Sequence, residues 1–182
     1  MKIVTLGRGN IGGGLGELWR AAGHDVTELG REGGDASGAD AVLLAVPGAL
    51  IADAVGKVEG LGGAPVLDAT NLINADVPDG HASLAEYVKA LTGAPVAKVF
   101  NLNFARLYGE LGSTRVRPSQ VFAADDGARA VTEQLVRDAG YDPVYAGGLE
   151  NAAALERALG LFFAVAQNSG PFFYRLGAAA DL

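Results

Sequence analysis

The sequence predicts an α/β fold in which a mostly parallel sheet is covered by helices on both faces. Short apolar runs typical of buried strands alternate with longer runs in which apolar residues recur at helical spacing. The chain has 27 glycines in 182 residues, without the Gly-X-Y period of collagen, and they fall where these runs meet. No segment rich in proline, serine or charge divides the chain. We therefore expect a single domain over residues 1–182 that closes with a C-terminal helix.

Hydrophobic patterning and end signals place the elements in order. Apolar runs predict strands at residues 2–6, 25–29, 41–46, 64–69, 94–100, 119–124 and 141–145. Helical spacing predicts helices at residues 11–22, 50–58, 83–91, 127–139 and 151–168. Gly23 ends the first helix, and Ser83 with Glu86 forms a capping box at the start of the third. Because strands and helices alternate in a doubly wound pattern, ligands are expected at the carboxyl ends of the strands.

Composition argues against several classes of function. The formal net charge is −7 and the pI about 4.7, so the phosphates of nucleic acids and anionic membranes are repelled. The chain has no cysteine and 2 histidines, and we expect no metal site. Met1 and Lys2 lead directly into a strand rather than a signal peptide, and no apolar run approaches the ~18 residues of a membrane span. We expect a cytoplasmic protein that binds neither nucleic acid nor membrane.

The segment between the first strand and the first helix fits the pattern G-x-G-x-x-G. Its residues are Gly7, Arg8, Gly9, Asn10, Ile11 and Gly12. In this context the first glycine allows a tight turn, the second admits a pyrophosphate close to the backbone, and the third lets the helix pack on the strand. Amides at the start of the helix then face the anion. The motif predicts a Rossmann-type NAD(P)-binding fold, and a merely tight strand–helix turn is the alternative.

The end of the second strand bears on the choice between NAD and NADP. An acid there binds the ribose 2′-hydroxyl of NAD, whereas an arginine accommodates the 2′-phosphate of NADP. Glu28 lies before the tip of the strand, while Gly30 and Arg31 lie at the tip and Arg8 is in the glycine loop. Because both arginines can pair with phosphate, NADP is the favoured cofactor. A solvated loop charge is the alternative interpretation of Arg31.

Further segments follow in order along almost the whole chain. They are GRGNIGGGL at 7–15, AGHDV at 22–26, GR at 30–31, GADAVLLAVP at 38–47, DATN at 68–71, KVFN at 98–101 and YDPVYAGGLENA at 141–152. Together, in this order and spacing, they resemble the family of coenzyme F420-dependent NADP oxidoreductases. The resemblance implies that NADPH and a deazaflavin, F420, lie face to face and exchange one hydride. The protein would then supply orientation and desolvation, and we expect no catalytic acid or base.

The resemblance also implies particular site residues. Cofactor contacts would come from Val46 and Pro47 in a loop and from Thr70, Asn71 and Asn101 near the nicotinamide. The second substrate, F420 or a flavin-like acceptor, would meet Asn103 and Arg106. The alternatives are turn residues for the asparagines and a solvated charge for Arg106.

The sequence departs from the family after the second strand. Only residues 32–40 separate Arg31 from the third strand, where the family has a helix and a strand. A parallel crossover normally needs about a dozen residues or more, so we expect this region to be shortened and the outer edge strand to be absent. A non-catalytic NADP(H)-binding or sensing protein is therefore the alternative function. A dehydrogenase for a small carbonyl or imine is disfavoured, because no residues are left for a large helical domain and no convincing base lies beside the cleft.

Aromatic residues cluster near the C-terminus. They are Phe162, Phe163, Phe172, Phe173 and Tyr174. Packing in the core is one interpretation. A homodimer through this segment is the other, because aromatic side chains are enriched at interfaces and the family often dimerises.

Overall fold

The computed structural model describes residues 1–73, 75–177 and 179. The strands are β1 Lys2–Leu6, β2 Asp25–Leu29, β3 Gly34–Asp35, β4 Ala41–Leu44, β5 Val58–Glu59, β6 Val66–Asp68, β7 Val96–Lys98, β8 Ser119–Ala124 and β9 Asp142–Tyr145. The α-helices are α1 Asn10–Ala21, α2 Ile51–Val55, α3 Leu84–Thr92, α4 Asp126–Asp138 and α5 Ala152–Ser169. Short 3₁₀ helices cover Gly48–Leu50, Leu61–Gly63, Ala105–Ser113 and Leu149–Asn151.

The main sheet confirms the predicted doubly wound α/β architecture. Its strands run in the order β2-β1-β4-β6-β7-β8-β9. Neighbouring strands are parallel except β7 and β8, which are antiparallel. The chain passes from β2, on one side of β1, to β4 on the other side. This reversal of strand order opens a crevice at the carboxyl ends of β1 and β4, where ligands bind in folds of this class.

Alternate residues of the central strands face opposite sides of the sheet and build two cores. On one side, Leu43 of β4 belongs to a cluster with Trp19 of α1. On the other side, Val42 and Leu44 of β4 belong to a cluster with Val88 of α3. All four residues of β4 are buried, as in a strand that has helices over both faces.

Two helix starts show how local sequence fixes the elements. The Ser83 hydroxyl accepts a hydrogen bond from the backbone amide of Glu86 at 3.1 Å, and the Glu86 carboxylate accepts one from the amide of Ala82 at 2.8 Å. The predicted capping box is thus confirmed. The α1 helix instead has Gly9 before it, which provides no side-chain cap and leaves the first amides of the helix available to a ligand.

The region after β2 is shortened, as predicted. Within the described ranges the main sheet ends on β2, and no further strand pairs with its outer edge. The chain instead forms the two-residue strand β3, which pairs in parallel with β5 in a separate small sheet. Sequence reasoning did not foresee this sheet. The predicted helix at residues 50–58 is consequently too long, because α2 ends at Val55 and Val58 belongs to β5.

The C-terminal aromatic residues pack largely against their own chain. The ring of Phe162 lies 5.4 Å from that of Phe172 and 5.1 Å from that of Tyr174, between centroids. The Tyr174 carbonyl accepts a hydrogen bond from the Ser119 amide of β8 at 2.8 Å. Core packing therefore accounts for much of this cluster.

None of the helices in the described ranges is long and apolar enough to cross a membrane.

Candidate dinucleotide-binding site

The glycine loop brings α1 into close contact with the ends of β1 and β4. Gly7 has φ +106°, and a Cβ there would overlap the carbonyl oxygen of Ala45. A Cβ on Gly12 would overlap the carbonyl oxygen of Gly7. Gly9 differs, because a Cβ added there would meet no atom within 4 Å. The first and third glycines are therefore required by packing, and the second faces open space.

The first turn of α1 presents free backbone donors to this open space. The first amide that bonds within the helix is that of Gly13, which donates to the Gly9 carbonyl at 2.8 Å. The amides of residues 10–12 precede it and have no acceptor inside the helix. The helix dipole adds a partial positive charge at the same end, so this turn suits an anion such as a pyrophosphate.

A first cavity of about 700 Å³ opens beside the glycine loop, a size typical of small-molecule sites. It gathers sequence-predicted residues from three separate loops: Gly7, Arg8, Gly9, Gly30, Arg31, Val46 and Pro47. Leu50, Ala54 and Val58 add apolar wall. The cavity thus extends from the start of α1 to the tip of β2.

Charged side chains around the first cavity are mostly paired. The Arg8 guanidinium lies 3.0 Å from the Glu32 carboxylate, and the Lys57 ammonium lies 2.7 Å from that of Asp53. Arg31 is exposed and makes no side-chain hydrogen bond or ion pair with the residues that the structure describes. Its guanidinium is therefore available to an anionic ligand.

Glu28 is paired with a side chain of α1 and is not among the residues that line the first cavity. Its carboxylate lies 2.6 Å from the Arg20 guanidinium of α1, which also donates to the Val26 carbonyl at 3.1 Å. This ion pair joins α1 to β2 along the edge of the sheet.

A second cavity of about 110 Å³ lies on the other side of α1, at the ends of β6 and β7. Its lining consists of Ile11, Ala69, Asn71, Phe100, Asn101, Leu102, Asn103, Phe104, Leu159, Phe162 and Phe163. Sequence reasoning placed Ile11 and three asparagines at the site but did not predict the wall contributed by α5. Because Gly9 lines the first cavity and Ile11 the second, the first turn of α1 borders both.

The asparagines of the second cavity hold one another in place. The Asn71 amide nitrogen donates to the Asn101 carbonyl at 2.8 Å, and the Asn101 amide nitrogen donates to the Leu155 carbonyl at 3.2 Å. The Asn101 Oδ1 and Asn103 Nδ2 atoms are buried and have no partner among the described residues. One hydrogen-bond acceptor, Asn101 Oδ1, and one donor, Asn103 Nδ2, are therefore unpaired in the portion of the chain that is described, beside an apolar wall. This arrangement suits a planar ligand that carries a carboxamide.

Phe100 bends the chain at the entrance to this cavity. It is a non-glycine residue with φ +61°, a conformation that costs about 1–3 kcal/mol. Its ring is buried between Trp19 and Tyr141, at centroid distances of 6.0 and 6.4 Å, and burial of such a ring contributes about 1.5–3 kcal/mol. Packing of the ring thus offsets the strain and fixes the turn that carries Asn101.

A buried ionic network supports the turn that carries Thr70 and Asn71. The fully buried Lys98 ammonium lies 2.9 Å from the Asp68 carboxylate and 3.0 Å from that of Glu156 on α5. It also donates to the Thr70 carbonyl at 2.6 Å, while Asp68 accepts from the Thr70 amide at 2.8 Å. Sequence reasoning missed Lys98, although a lone lysine inside the apolar run at residues 94–100 was a signal.

Four predicted residues lie outside the linings of both cavities: Asn10 and Gly12 at the start of α1, Thr70 and Arg106. Thr70 is 1% exposed, and its buried hydroxyl has no partner in the described part of the chain. Arg106 is exposed at the start of the 3₁₀ helix Ala105–Ser113. The same helix places Tyr108 against Gly14 of α1, and burial raises the pKa of its hydroxyl well above the usual value.

The strand order, the glycine loop and the crevice define a dinucleotide-binding fold of the Rossmann type. The sequence matches no protein-family model, and it has no significant match among curated proteins. Solved structures do share the fold. One, from Arthrobacter sp. FB24, is provisionally described as an F420-dependent NADP reductase. It is 22% identical, with a TM-score of 0.79 over 98% of this chain and 100% of that chain.

Two other solved structures broaden the comparison. A hypothetical protein from Sinorhizobium meliloti is 24% identical, with a TM-score of 0.67 over 97% of this chain and 93% of that one. A 3-hydroxyisobutyrate dehydrogenase from Mycobacterium tuberculosis is 16% identical, with a TM-score of 0.62 over 91% of this chain. The match covers 61% of that dehydrogenase, so the likeness extends over only part of its length. Together these structures establish the fold.

Proposed function

We propose that the protein is an NADP-dependent oxidoreductase that transfers hydride between NADP(H) and the deazaflavin F420 or a flavin-like acceptor. The observation that carries the proposal is the position of the first turn of α1 between the two cavities. A dinucleotide needs this arrangement, with its pyrophosphate at a helix start and its two nucleoside ends on either side. The likeness in fold to the Arthrobacter protein, over 98% of this chain and 100% of that chain, supports the choice of acceptor.

Each part of the cofactor would meet residues of matching chemistry. The amides of Asn10 and Ile11 would bind the pyrophosphate, with Gly12 holding the turn against β1. Arg31, with Arg8 and Gly30 beside it, would bind the 2′-phosphate in the first cavity. Val46 and Pro47 would line the path between the two ends.

The nicotinamide end would occupy the second cavity. The open Asn101 Oδ1 and Asn103 Nδ2 atoms suit the carboxamide of the ring, and Asn71 holds Asn101 in position. Thr70 would help to position the turn through its backbone. Its carbonyl accepts a hydrogen bond from Lys98, and its amide donates one to Asp68. When bound, NADP(H) supplies the hydride, so the residues need only orient the ring and exclude water.

The size of the second cavity restricts where the acceptor binds. At about 110 Å³ it is smaller than the ~300 Å³ lower bound of typical ligand pockets. We infer that it takes the nicotinamide alone and that the acceptor stacks at its mouth, beside Phe162 and Phe163. The exposed Arg106 is then available for an anionic group of the acceptor.

The test combines binding with turnover. NADPH and NADH are titrated against the protein by fluorescence, and oxidation of NADPH is then followed with F420, FMN and FAD in turn. We expect NADPH to bind more tightly than NADH, and Arg31→Ala to weaken NADPH by about tenfold while leaving NADH nearly unchanged. A protein that does not bind NADPH would refute the proposal, and equal losses for the two nucleotides would refute the role of Arg31.

A non-catalytic NADP(H)-binding or sensing protein is the second candidate. It is favoured by the open outer edge of β2 and by the exposed ion pairs around the first cavity. This function predicts tight NADPH binding without oxidation by any of the three acceptors.

We further propose a homodimer formed through α5. Leu161 and Val165 lie one turn apart on this helix and are 65% and 40% exposed, and Phe163 is 40% exposed. Exposed apolar residues so close together are typical of an interface. Sedimentation equilibrium distinguishes a dimer from a monomer.

The absence of cysteine is compatible with a reducing cytoplasm, where we propose that the protein acts.

A further inference from the structure

The shortened segment after β2 brings a distant lysine beside the tip of that strand. The Gly34 amide of β3 donates to the Lys57 carbonyl at 3.1 Å, and the Ala36 amide donates to the Glu59 carbonyl at 2.8 Å. A Cβ on Gly33 would overlap the carbonyl oxygen of Lys57, so the two backbones are in close contact. Gly33 follows Arg31 by two positions. The backbone of Lys57 is therefore fixed against the loop that begins with Arg31.

Lys57 lines the same cavity as Arg31. Its ammonium is paired with Asp53 at 2.7 Å, four residues earlier, and the two side chains are 44% and 62% exposed. An ion pair this exposed contributes about 0–1 kcal/mol, so the ammonium can exchange its partner at little cost. A phosphate monoester carries about two negative charges and is a stronger acceptor than one carboxylate.

We propose that Lys57 is a second residue that selects NADP(H) over NAD(H), by binding the 2′-phosphate together with Arg31. This inference rests on the proposed function and adds a specificity residue to the same site. In the structure Asp53 holds the ammonium. When a 2′-phosphate enters, Lys57 transfers to it, and the carboxylate of Asp53 is left opposing the bound anion. Lys57 therefore raises the preference for NADPH over NADH, and Asp53 lowers it.

The substitution Lys57→Met tests the attractive half of the proposal. It removes the charge, keeps most of the aliphatic stem and leaves the backbone contacts with Gly33 and Gly34 in place. We expect the affinity for NADPH to fall about fivefold, which corresponds to about 1 kcal/mol for a partly exposed pair, and the affinity for NADH to stay the same. The matched control is Lys89→Met, because Lys89 is paired with Asp125 at 2.7 Å, is 50% exposed and lies away from both cavities.

The substitution Asp53→Asn tests the opposing half. We expect it to strengthen NADPH binding about twofold, because a carboxylate near the phosphate is removed, and to leave NADH binding unchanged. The NADPH preference of the wild-type protein should also narrow as salt is raised from low to physiological strength. Loss of NADPH affinity in Asp53→Asn, rather than a gain, would contradict the exchange of partners.

The outcomes separate this inference from the proposed function. A wild-type protein that does not bind NADPH overturns both, whereas one that binds NADPH and NADH equally overturns the selective role of Lys57 and leaves the proposed function standing. A wild-type protein that prefers NADPH, loses the preference in Arg31→Ala and keeps it in Lys57→Met overturns the role of Lys57 alone. Equal losses of NADPH and NADH in Lys57→Met also overturn it, because a general packing effect would then explain the result.

Discussion

The two ends of the site are built from opposite kinds of electrostatics. Around the first cavity the ion pairs Arg8–Glu32 and Lys57–Asp53 are exposed, and each joins only two side chains. At the second cavity the supporting charges of Lys98, Asp68 and Glu156 are largely or wholly buried and join several elements. Exposed pairs exchange partners at little cost, whereas buried charges are stable only while every partner is present. The first end is therefore suited to selecting a ligand, and the second to holding a fixed geometry.

The largest expected effect comes from breaking the buried end. Lys98→Met removes the only cation that the structure shows contacting the buried Asp68 and Glu156 carboxylates. Removal of one partner from a buried ion pair costs about 3–5 kcal/mol, and we expect that loss in the free energy of unfolding measured with urea. The control is Lys57→Met at the exposed end, where the loss should be below about 1 kcal/mol. Similar losses of unfolding free energy in the two variants would contradict the difference between the buried and the exposed end of the site.

A smaller effect is expected where the glycine loop joins the two ends. Gly12→Ala places a methyl group on the Gly7 carbonyl and should cost about 1–3 kcal/mol of stability by overpacking. Gly9→Ala is the matched control, because its methyl group meets no atom within 4 Å. We expect the control to keep its stability and to lose affinity for NADPH and NADH alike, since the methyl group enters the cavity. Thermal unfolding and nucleotide titration of both variants would show whether the two glycines differ in this way.

The last effect appears only at alkaline pH and concerns the tail that packs on α5. Burial raises the pKa of the Tyr174 hydroxyl to about 12, against about 10 in an unfolded chain. Because the folded-state pKa is the higher one, this stabilisation is complete below about pH 10 and is lost as the pH rises through 12. The Tyr174→Phe variant should therefore gain stability relative to the wild-type protein between pH 10 and 12. A difference between the two proteins that stays constant across this range would contradict the prediction.

The sequence was most informative where a local pattern determines local structure. The glycine loop, the capping box at Ser83 and the strands of the main sheet all follow from short-range spacing. The shortening after β2 was also predictable, because residues 32–40 are too few for a crossover with its own helix and strand.

Features that depend on long-range contacts were not predictable. The strands β3 and β5 have two residues each and exist only because they pair with each other. The left-handed conformation of Phe100 depends on the packing of its ring, and no pattern in the sequence indicates it. The partners of Lys98 lie 30 residues before it in Asp68 and far beyond it in Glu156, so they meet only in the folded chain. The asparagines were predicted at the site and line the second cavity, but the wall of Phe162 and Phe163 beside them was not predicted.

Glu156 has a consequence for which parts of the chain are dispensable. Besides its contact with Lys98, its carboxylate accepts hydrogen bonds from the Leu84 and Ala85 amides at the start of α3, at 3.0 and 3.3 Å. Loss of α5 would therefore leave a buried ammonium short of a counter-charge and a helix start without its acceptor. None of the atoms in this network lies near β2. A chain of this architecture can thus lack a strand beyond β2 at the edge of the main sheet. Its final helix, α5, is in contrast needed for the domain to stay folded.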